Sequence, residues 1–125
     1  QQAEKLSVRS RSVPYALQSL DREELDRRPG WTAFDVVNSR LRMRGRRGRT
    51  LNPNGEHRCL FVDDVNHRFP AFLFGFTADE VERIEIYDGG GMIRVYTKQY
   101  LVSLMGREPP TVVYIKGGLG GPVCR

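Results

Sequence analysis

The sequence has no long hydrophobic run and few residues suited to metal or nucleophilic chemistry. No stretch approaches the roughly 18 consecutive apolar residues of a membrane-spanning helix, so we predict no transmembrane segment. The only histidines are His57 and His67, and neither lies in a metal-ligand spacing such as HExxH. His57 and Cys59 alternate along a predicted strand, but no third residue is placed to orient them as base and nucleophile. The sequence therefore predicts no metal, no cofactor and no enzyme activity.

Cysteine is also scarce, with Cys59 in the middle of the chain and Cys124 close to residue 125. The two residues either form a disulfide that ties the tail to a central strand or remain free thiols. A bridge would indicate an oxidising compartment. The sequence begins at Gln1 rather than at a methionine, so we expect either a fragment or a processed product, and processing would indicate that an export signal has been removed. We therefore expect a periplasmic or otherwise exported protein, peripheral to a membrane.

The length of 125 residues suits one folding unit, and we treat residues 1–125 as a single domain. Apolar residues make up 39% of the chain and charged residues 28%, an ordinary balance for a globular protein. The formal net charge is +5. An excess of positive charge favours a partner with an acidic or anionic surface.

Periodicity and capping signals predict the elements of the first half. Residues 5–12 alternate apolar and polar positions and predict an edge strand. Asp21 and Glu24 have the capping-box spacing and predict a short helix over residues 21–27. A second helix is predicted from Thr32, because Phe34, Val37 and Leu41 recur on one helical face. Residues 42–56 lack apolar periodicity and contain three glycines, so we expect a loop.

The second half is richer in strands. We predict strands over residues 59–65, 83–87, 92–98 and 111–116, a capped helix opened by Thr77 and Glu80, and a short helix over residues 99–105. The glycine-rich turn at residues 88–91 predicts an antiparallel hairpin. Residues 117–125 are a glycine-rich tail that is flexible unless Cys124 pins it. The fold class is α+β, with a small mixed β-sheet and two or three short helices.

Two segments carry a family resemblance. The strand end Val62-Asp63-Asp64-Val65 and the junction Asp79-Glu80-Val81-Glu82-Arg83-Ile84-Glu85-Ile86 are followed by the glycine-led strand of residues 92–98. This order resembles the plug domain of TonB-dependent outer-membrane receptors, which usually has glycine where this chain has Asp64. The resemblance implies a plug-like fold and an envelope location. It assigns no catalytic or transport residue to this chain.

Six arginines form a dense basic segment on either side of Gly45: Arg40, Arg42, Arg44, Arg46, Arg47 and Arg49. Guanidinium groups pair with carboxylates and phosphates, so this segment predicts contact with an acidic protein surface or with anionic lipid. The alternative is a solvated loop neutralised by the acidic residues Asp79, Glu80 and Glu82. Nucleic-acid binding is disfavoured, because no aromatic residues interleave with the arginines to stack on bases.

Phenylalanine is concentrated between residues 69 and 76, where Pro70 and Gly75 argue against a regular central strand. The rings are either ordinary core or anchors in a partner, and we select Phe69, Phe72 and Phe74 as candidate partner-binding residues. Together with the arginines, they predict a non-catalytic accessory subunit that docks on a larger membrane-protein complex of the envelope, of respiratory or photosynthetic type. The alternatives are the plug of a longer receptor and a basic nucleic-acid-binding domain.

Overall fold

The computed structural model describes residues 2–43, 51–117 and 119–125. The helices in these ranges are α1 (Gln2–Ser10), α2 (Arg22–Asp26), α3 (Ala33–Met43) and α4 (Lys98–Ser103). The strands are β1 (Leu17–Leu20), β2 (Leu60–Val62), β3 (Val65–Asn66), β4 (Val81–Tyr87), β5 (Met92–Thr97), β6 (Tyr114–Ile115) and β7 (Val123–Cys124). Three 3₁₀ helices span Pro70–Gly75, Ala78–Glu80 and Asp88–Gly90. The predicted α+β class is confirmed.

The main sheet has five strands in the order β1-β4-β5-β2-β3. Only the β2–β5 pair is parallel, and the other pairs are antiparallel. Strands β4 and β5 form the predicted hairpin, and the turn between them places Gly89 at φ +64° and Gly90 at φ +115°. Glycine adopts these backbone conformations without the steric penalty that a side chain adds. Strands β6 and β7 pair separately as a two-stranded ribbon.

One face of the sheet carries the larger hydrophobic core. Alternate residues of β4 and β5, such as Ile84 and Val95, are fully buried there. Helix α3 packs on this face through the predicted apolar stripe of Phe34, Val37 and Leu41. The stripe is buried because its members recur at helical spacing on the side that meets the sheet.

The other face is covered by segments from both ends of the sequence. Phe61, Tyr87 and Met92 pack there against Val112 and Tyr114. Leu6 of α1 packs nearby with Tyr96, Leu101 and Leu104. A disulfide joins Cys59 to Cys124, confirming the bridged alternative, and holds β7 against the end of β2. The tail is therefore tied to the sheet.

Both predicted capping sites are confirmed. The Asp21 side chain accepts hydrogen bonds from the backbone N–H groups of Glu23 and Glu24 and caps α2. Thr77 and Glu80 form a capping box, in which Glu80 Oε1 accepts the Thr77 N–H at 3.0 Å. The element they open is a single 3₁₀ turn before β4, shorter than the expected helix.

Three secondary-structure predictions need correction. The expected edge strand over residues 5–12 is wrong, because α1 occupies Gln2–Ser10. Leu6, Arg9 and Ser10 recur at helical spacing and all contact the rest of the fold, whereas Val8 is exposed. The strand expected over residues 111–116 is limited to β6, Tyr114–Ile115. The helix expected over residues 99–105 is α4, which ends at Ser103, so Met105 lies beyond it and is exposed.

Candidate interaction surface

The three selected phenylalanines lie on the 3₁₀ helix Pro70–Gly75 and on the residue directly before it, Phe69. With three residues per turn, Pro70 and Leu73 fall on the inner side of this helix and are buried. Phe69, Phe72 and Phe74 fall outside this side and are 51%, 43% and 48% exposed. We call these three rings the phenylalanine ridge. The sequence identified the rings, and the structure places all three at the surface.

Two rings of the ridge, Phe72 and Phe74, are held in place by contacts with their own chain. Phe72 stacks on His67 with ring centroids 3.8 Å apart and meets Phe76 edge-on at 5.4 Å. Phe74 stacks on Phe34 of α3 at 4.2 Å. These contacts restrict ring rotation before any partner arrives, so little side-chain entropy remains to be lost on binding.

The ridge is large enough to matter for association. Three rings that are each about half exposed leave on the order of 300 Å² of aromatic surface in water, at ~200 Å² per ring. Patches of this size on monomers are often functional. Val65 of the edge strand β3 is also exposed and extends the apolar surface beyond the rings.

The arginine segment is only partly described. Arg40 lies near the end of α3, where it donates to Glu24 of α2 at 3.4 Å. This contact favours the neutralised alternative for Arg40, with Glu24 as the partner. Arg42 is exposed, has no described partner, and lines an open groove of about 690 Å³ with Trp31, Asp35 and Asn38. The other four arginines, Arg44, Arg46, Arg47 and Arg49, lie outside the described residues.

The structure does not bring Arg40 and Arg42 against the phenylalanine ridge. Phe34, which stacks on Phe74, is in the first turn of α3. Arg42 follows it by eight positions, or about 12 Å along the helix axis. Among the described residues, Arg42 therefore lies at the opposite end of α3 from the contact between Phe34 and Phe74.

A second basic surface lies on the other side of the edge strand, and the sequence analysis missed it. Arg58, Arg68 and Arg125 line a groove of about 910 Å³ between the β2–β3 hairpin and the tail. Its apolar lining is Phe61, Pro110, Pro122 and Val123. We call this the arginine groove. Its three arginines are separated in the sequence, so no local cluster of basic residues indicates the groove.

A network of buried charges lies between the arginine groove and α1. Asp64 accepts from Arg94 Nη1 at 2.7 Å, from both terminal nitrogens of Arg9 at 3.1 and 3.2 Å, and from Tyr100 at 2.5 Å. The Arg94 guanidinium also lies 4.0 Å from the centre of the Phe61 ring and donates to the Arg125 carbonyl. This network ties α1, the β2–β3 turn and the tail to one face of the sheet.

Glu85 is the other buried carboxylate on this face. It accepts from Arg83 Nε at 2.7 Å and from the Tyr87 hydroxyl at 2.7 Å. Burial, together with the charge of Glu85, raises the pKa of Tyr87 and of Tyr96 well above the usual tyrosine value. Both hydroxyls therefore stay protonated, as donors that satisfy the carboxylate. The arrangement suits structural support rather than proton transfer.

The His57 and Cys59 pair does not form a catalytic unit. Cys59 is held in the disulfide with Cys124, and His57 Nε2 lies 2.8 Å from the Gly90 carbonyl. Within residues 2–43, 51–117 and 119–125, no group of three or more histidine, cysteine or acidic side chains is placed to hold a metal ion. No helix in these ranges is long and apolar enough to span a bilayer.

No protein-family model, no curated protein and no solved structure matches this chain.

Proposed function

We propose that this chain is a non-catalytic, exported docking domain, an extrinsic accessory subunit that binds a larger membrane-protein complex of the cell envelope. The observation that carries the proposal is the phenylalanine ridge, in which three rings are half exposed and two of them, Phe72 and Phe74, are held by stacking contacts. Aromatic anchors of this kind dominate binding energy at protein interfaces. The disulfide supports an oxidising compartment such as the periplasm.

Charge supports a partner with an acidic surface. The chain has a net charge of +5, and Arg42, Arg58 and Arg68 have no carboxylate partner among the described residues. Complementary charges accelerate encounter between two proteins and fix their relative orientation. An acidic extramembrane face of a multi-subunit complex, of respiratory or photosynthetic type, has the required chemistry.

Native purification tests the proposal. The tagged protein is recovered from its own membranes in mild detergent, and co-purifying proteins are identified by mass spectrometry. The Phe69→Ser and Phe72→Ser variants should each lower partner recovery at least tenfold, because buried aromatic anchors contribute about 2 kcal/mol or more. Val102→Ser is the matched control, since Val102 is 67% exposed on α4, outside the ridge.

Two results would contradict this function. Recovery of the wild-type chain without any membrane subunit would exclude an accessory role. Recovery that survives the Phe69→Ser and Phe72→Ser changes would remove the ridge from the interface. Vesicles containing anionic phospholipid are tested in parallel, and capture by vesicles alone would replace the protein partner by a lipid surface.

A second candidate function is the plug of a longer receptor. The segments that resemble plug domains form three adjacent strands at the centre of the sheet, β2, β5 and β4. A barrel encoded in the same reading frame after Arg125 would support this function. In that case the ridge and the arginines would contact the barrel wall.

A further inference from the structure

The edge strand β3 and the residues that follow it separate two different surfaces. Successive side chains of a strand point to opposite faces of a sheet. Asn66 and Arg68 line the arginine groove. The intervening His67 stacks on Phe72 and belongs to the side of the phenylalanine ridge. One short segment therefore presents an aromatic surface on one side and a basic groove on the other.

The charge in the arginine groove is not neutralised by the chain itself. Three guanidinium groups line it, those of Arg58, Arg68 and Arg125, against the carboxylates of Glu56 and Asp64. Asp64 is fully engaged by the buried Arg9, Arg94 and Tyr100, so it does not offset the groove arginines. Glu56 alone remains, which leaves an excess of positive charge.

The contacts of the groove arginines leave their donors available. Arg58 Nη1 donates to the Gly120 carbonyl, which orients the side chain without cancelling its charge. Arg68 is exposed and has no partner among the described residues. A guanidinium group with free donors binds a carboxylate through two parallel hydrogen bonds.

The lining between these arginines is apolar and partly rigid. Phe61 is only 5% exposed and is covered by the Arg94 guanidinium, and Pro110 and Pro122 have restricted backbones. The volume of about 910 Å³ is within the range of ligand sites, and the groove is open to solvent. Such a shape accepts an extended chain segment that carries both apolar and acidic side chains.

We propose that the arginine groove binds an acidic, extended segment of the partner protein, in which carboxylates alternate with apolar side chains. The carboxylates pair with Arg58 and Arg68, and the apolar side chains pack on Pro110, Pro122 and the exposed Val123. This inference rests on the proposed docking function and specifies the chemistry of the partner. The aromatic anchor and the basic groove then contact adjoining parts of one partner across β3.

The test uses a synthetic probe and does not require the native partner. The probe is a fluorescein-labelled, end-capped peptide of sequence Asp-Leu-Glu-Leu-Asp-Leu, and its binding is followed by fluorescence anisotropy at low and physiological salt. The neutral control peptide has Asn and Gln in place of Asp and Glu. We expect the acidic probe to bind and to weaken as salt rises, because ion pairs are screened.

Three single-residue variants test whether the acidic probe binds in the arginine groove. Arg58→Gln and Arg68→Gln should each weaken the probe about tenfold and reduce its salt dependence, since each removes a charge-assisted hydrogen-bond pair. Arg27→Gln removes the same charge from the surface of α2 and should change nothing, because Arg27 is paired with Glu23 at 3.3 Å. Circular dichroism confirms that all three variants are folded.

Three outcomes would overturn the inference. Equal binding of the neutral peptide would remove the carboxylates from recognition. An equal effect of Arg27→Gln would reduce the interaction to net charge. The third outcome has two parts: the wild type does not bind the acidic peptide, and Arg58→Gln and Arg68→Gln lose the binding to anionic vesicles that the wild type shows. This outcome would assign the groove arginines to lipid headgroups. None of these outcomes depends on whether native purification recovers a membrane complex, so the groove and the docking function can fail separately.

Discussion

Replacement of Asp64 tests whether the buried charge network stabilises the fold. Asp64 lies in the turn between β2 and β3 at φ +65°, a backbone conformation that favours glycine. In this chain the carboxylate is the shared acceptor for Arg9 and Arg94, whose side chains are 8% and 2% exposed. The Asp64→Gly variant therefore has two effects. It relieves the backbone strain at residue 64, and it removes the negative charge that pairs with Arg9 and Arg94.

The two effects differ in size. Removing one partner of a buried ion pair costs about 3–5 kcal/mol, because the remaining charge is left without compensation. A left-handed conformation at a residue other than glycine costs about 1–2 kcal/mol, which the glycine variant recovers. The free energy of unfolding of Asp64→Gly should therefore fall by about 1–4 kcal/mol. Asp64→Asn keeps the shape but not the charge, and should lose about 3–5 kcal/mol.

Urea denaturation followed by circular dichroism measures these changes. Asp79→Asn is the control, because Asp79 is exposed and its replacement adds the same unit of net positive charge. We expect this control to lie within about 0.5 kcal/mol of the wild type. If Asp64→Gly is as stable as the wild type or more stable, turn strain outweighs the ion pairs and the reasoning is refuted.

Three further predictions concern the disulfide, His57 and Gly90. The cysteines of the disulfide are 65 positions apart, and on the chain-entropy model its reduction should lower the free energy of unfolding by about 4 kcal/mol. An unchanged urea midpoint in the presence of reductant would show that the disulfide does not stabilise the fold. Burial lowers the pKa of His57 in the folded chain, so the stability it contributes is present above the unfolded-state pKa of about 6.5 and is lost as pH falls from there through the lower folded-state pKa. A His57→Gln variant should show a flatter dependence of urea midpoint on pH between 7.5 and 5.5, and an equally steep profile would assign the titration elsewhere. Gly90→Ala forces a φ of +115° on alanine and places its Cβ 3.0 Å from a methyl group of Leu41 in α3. Thermal denaturation should therefore show that the free energy of unfolding falls by about 1–3 kcal/mol. The control Gly75→Ala should be close to neutral, because a Cβ at residue 75 meets nothing within 4 Å.

Local signals in the sequence were sufficient for the elements that depend on neighbours along the chain. The caps at Asp21 and Thr77, the stripe of α3 and the β4–β5 hairpin all rest on residues within one or two turns of each other. Residues 5–12 were misassigned because alternation over eight residues also fits a short helix. Docking of Leu6 and Arg9 on the distant Tyr96 decided between the two.

Features that depend on distant residues could not be read from the sequence. The alternation of apolar and polar residues along β4 and β5 predicts strands. It does not reveal that other parts of the chain cover the polar side of the sheet and bury Glu85 and Arg94. The arginine groove is formed by Arg58 and Arg68 on one hairpin and by Arg125 on the tail. Only the tertiary fold and the disulfide bring these residues together. The residues of the phenylalanine ridge could be selected from the sequence because they lie close together in one short segment.

The cover of the second sheet face has a consequence for the order of events during biosynthesis. That face is closed by α1, β6 and β7, and the disulfide joins Cys59 to a cysteine 65 positions later. Because a chain is synthesised from its N-terminus, Cys59 and the ionised groups of β4 and β5 stay uncovered until Cys124 has been made. The disulfide can therefore form only after nearly all of the described fold has been synthesised. Before that point Cys59 is a single thiol, and trapping it with an alkylating reagent would report how far synthesis of the chain has advanced.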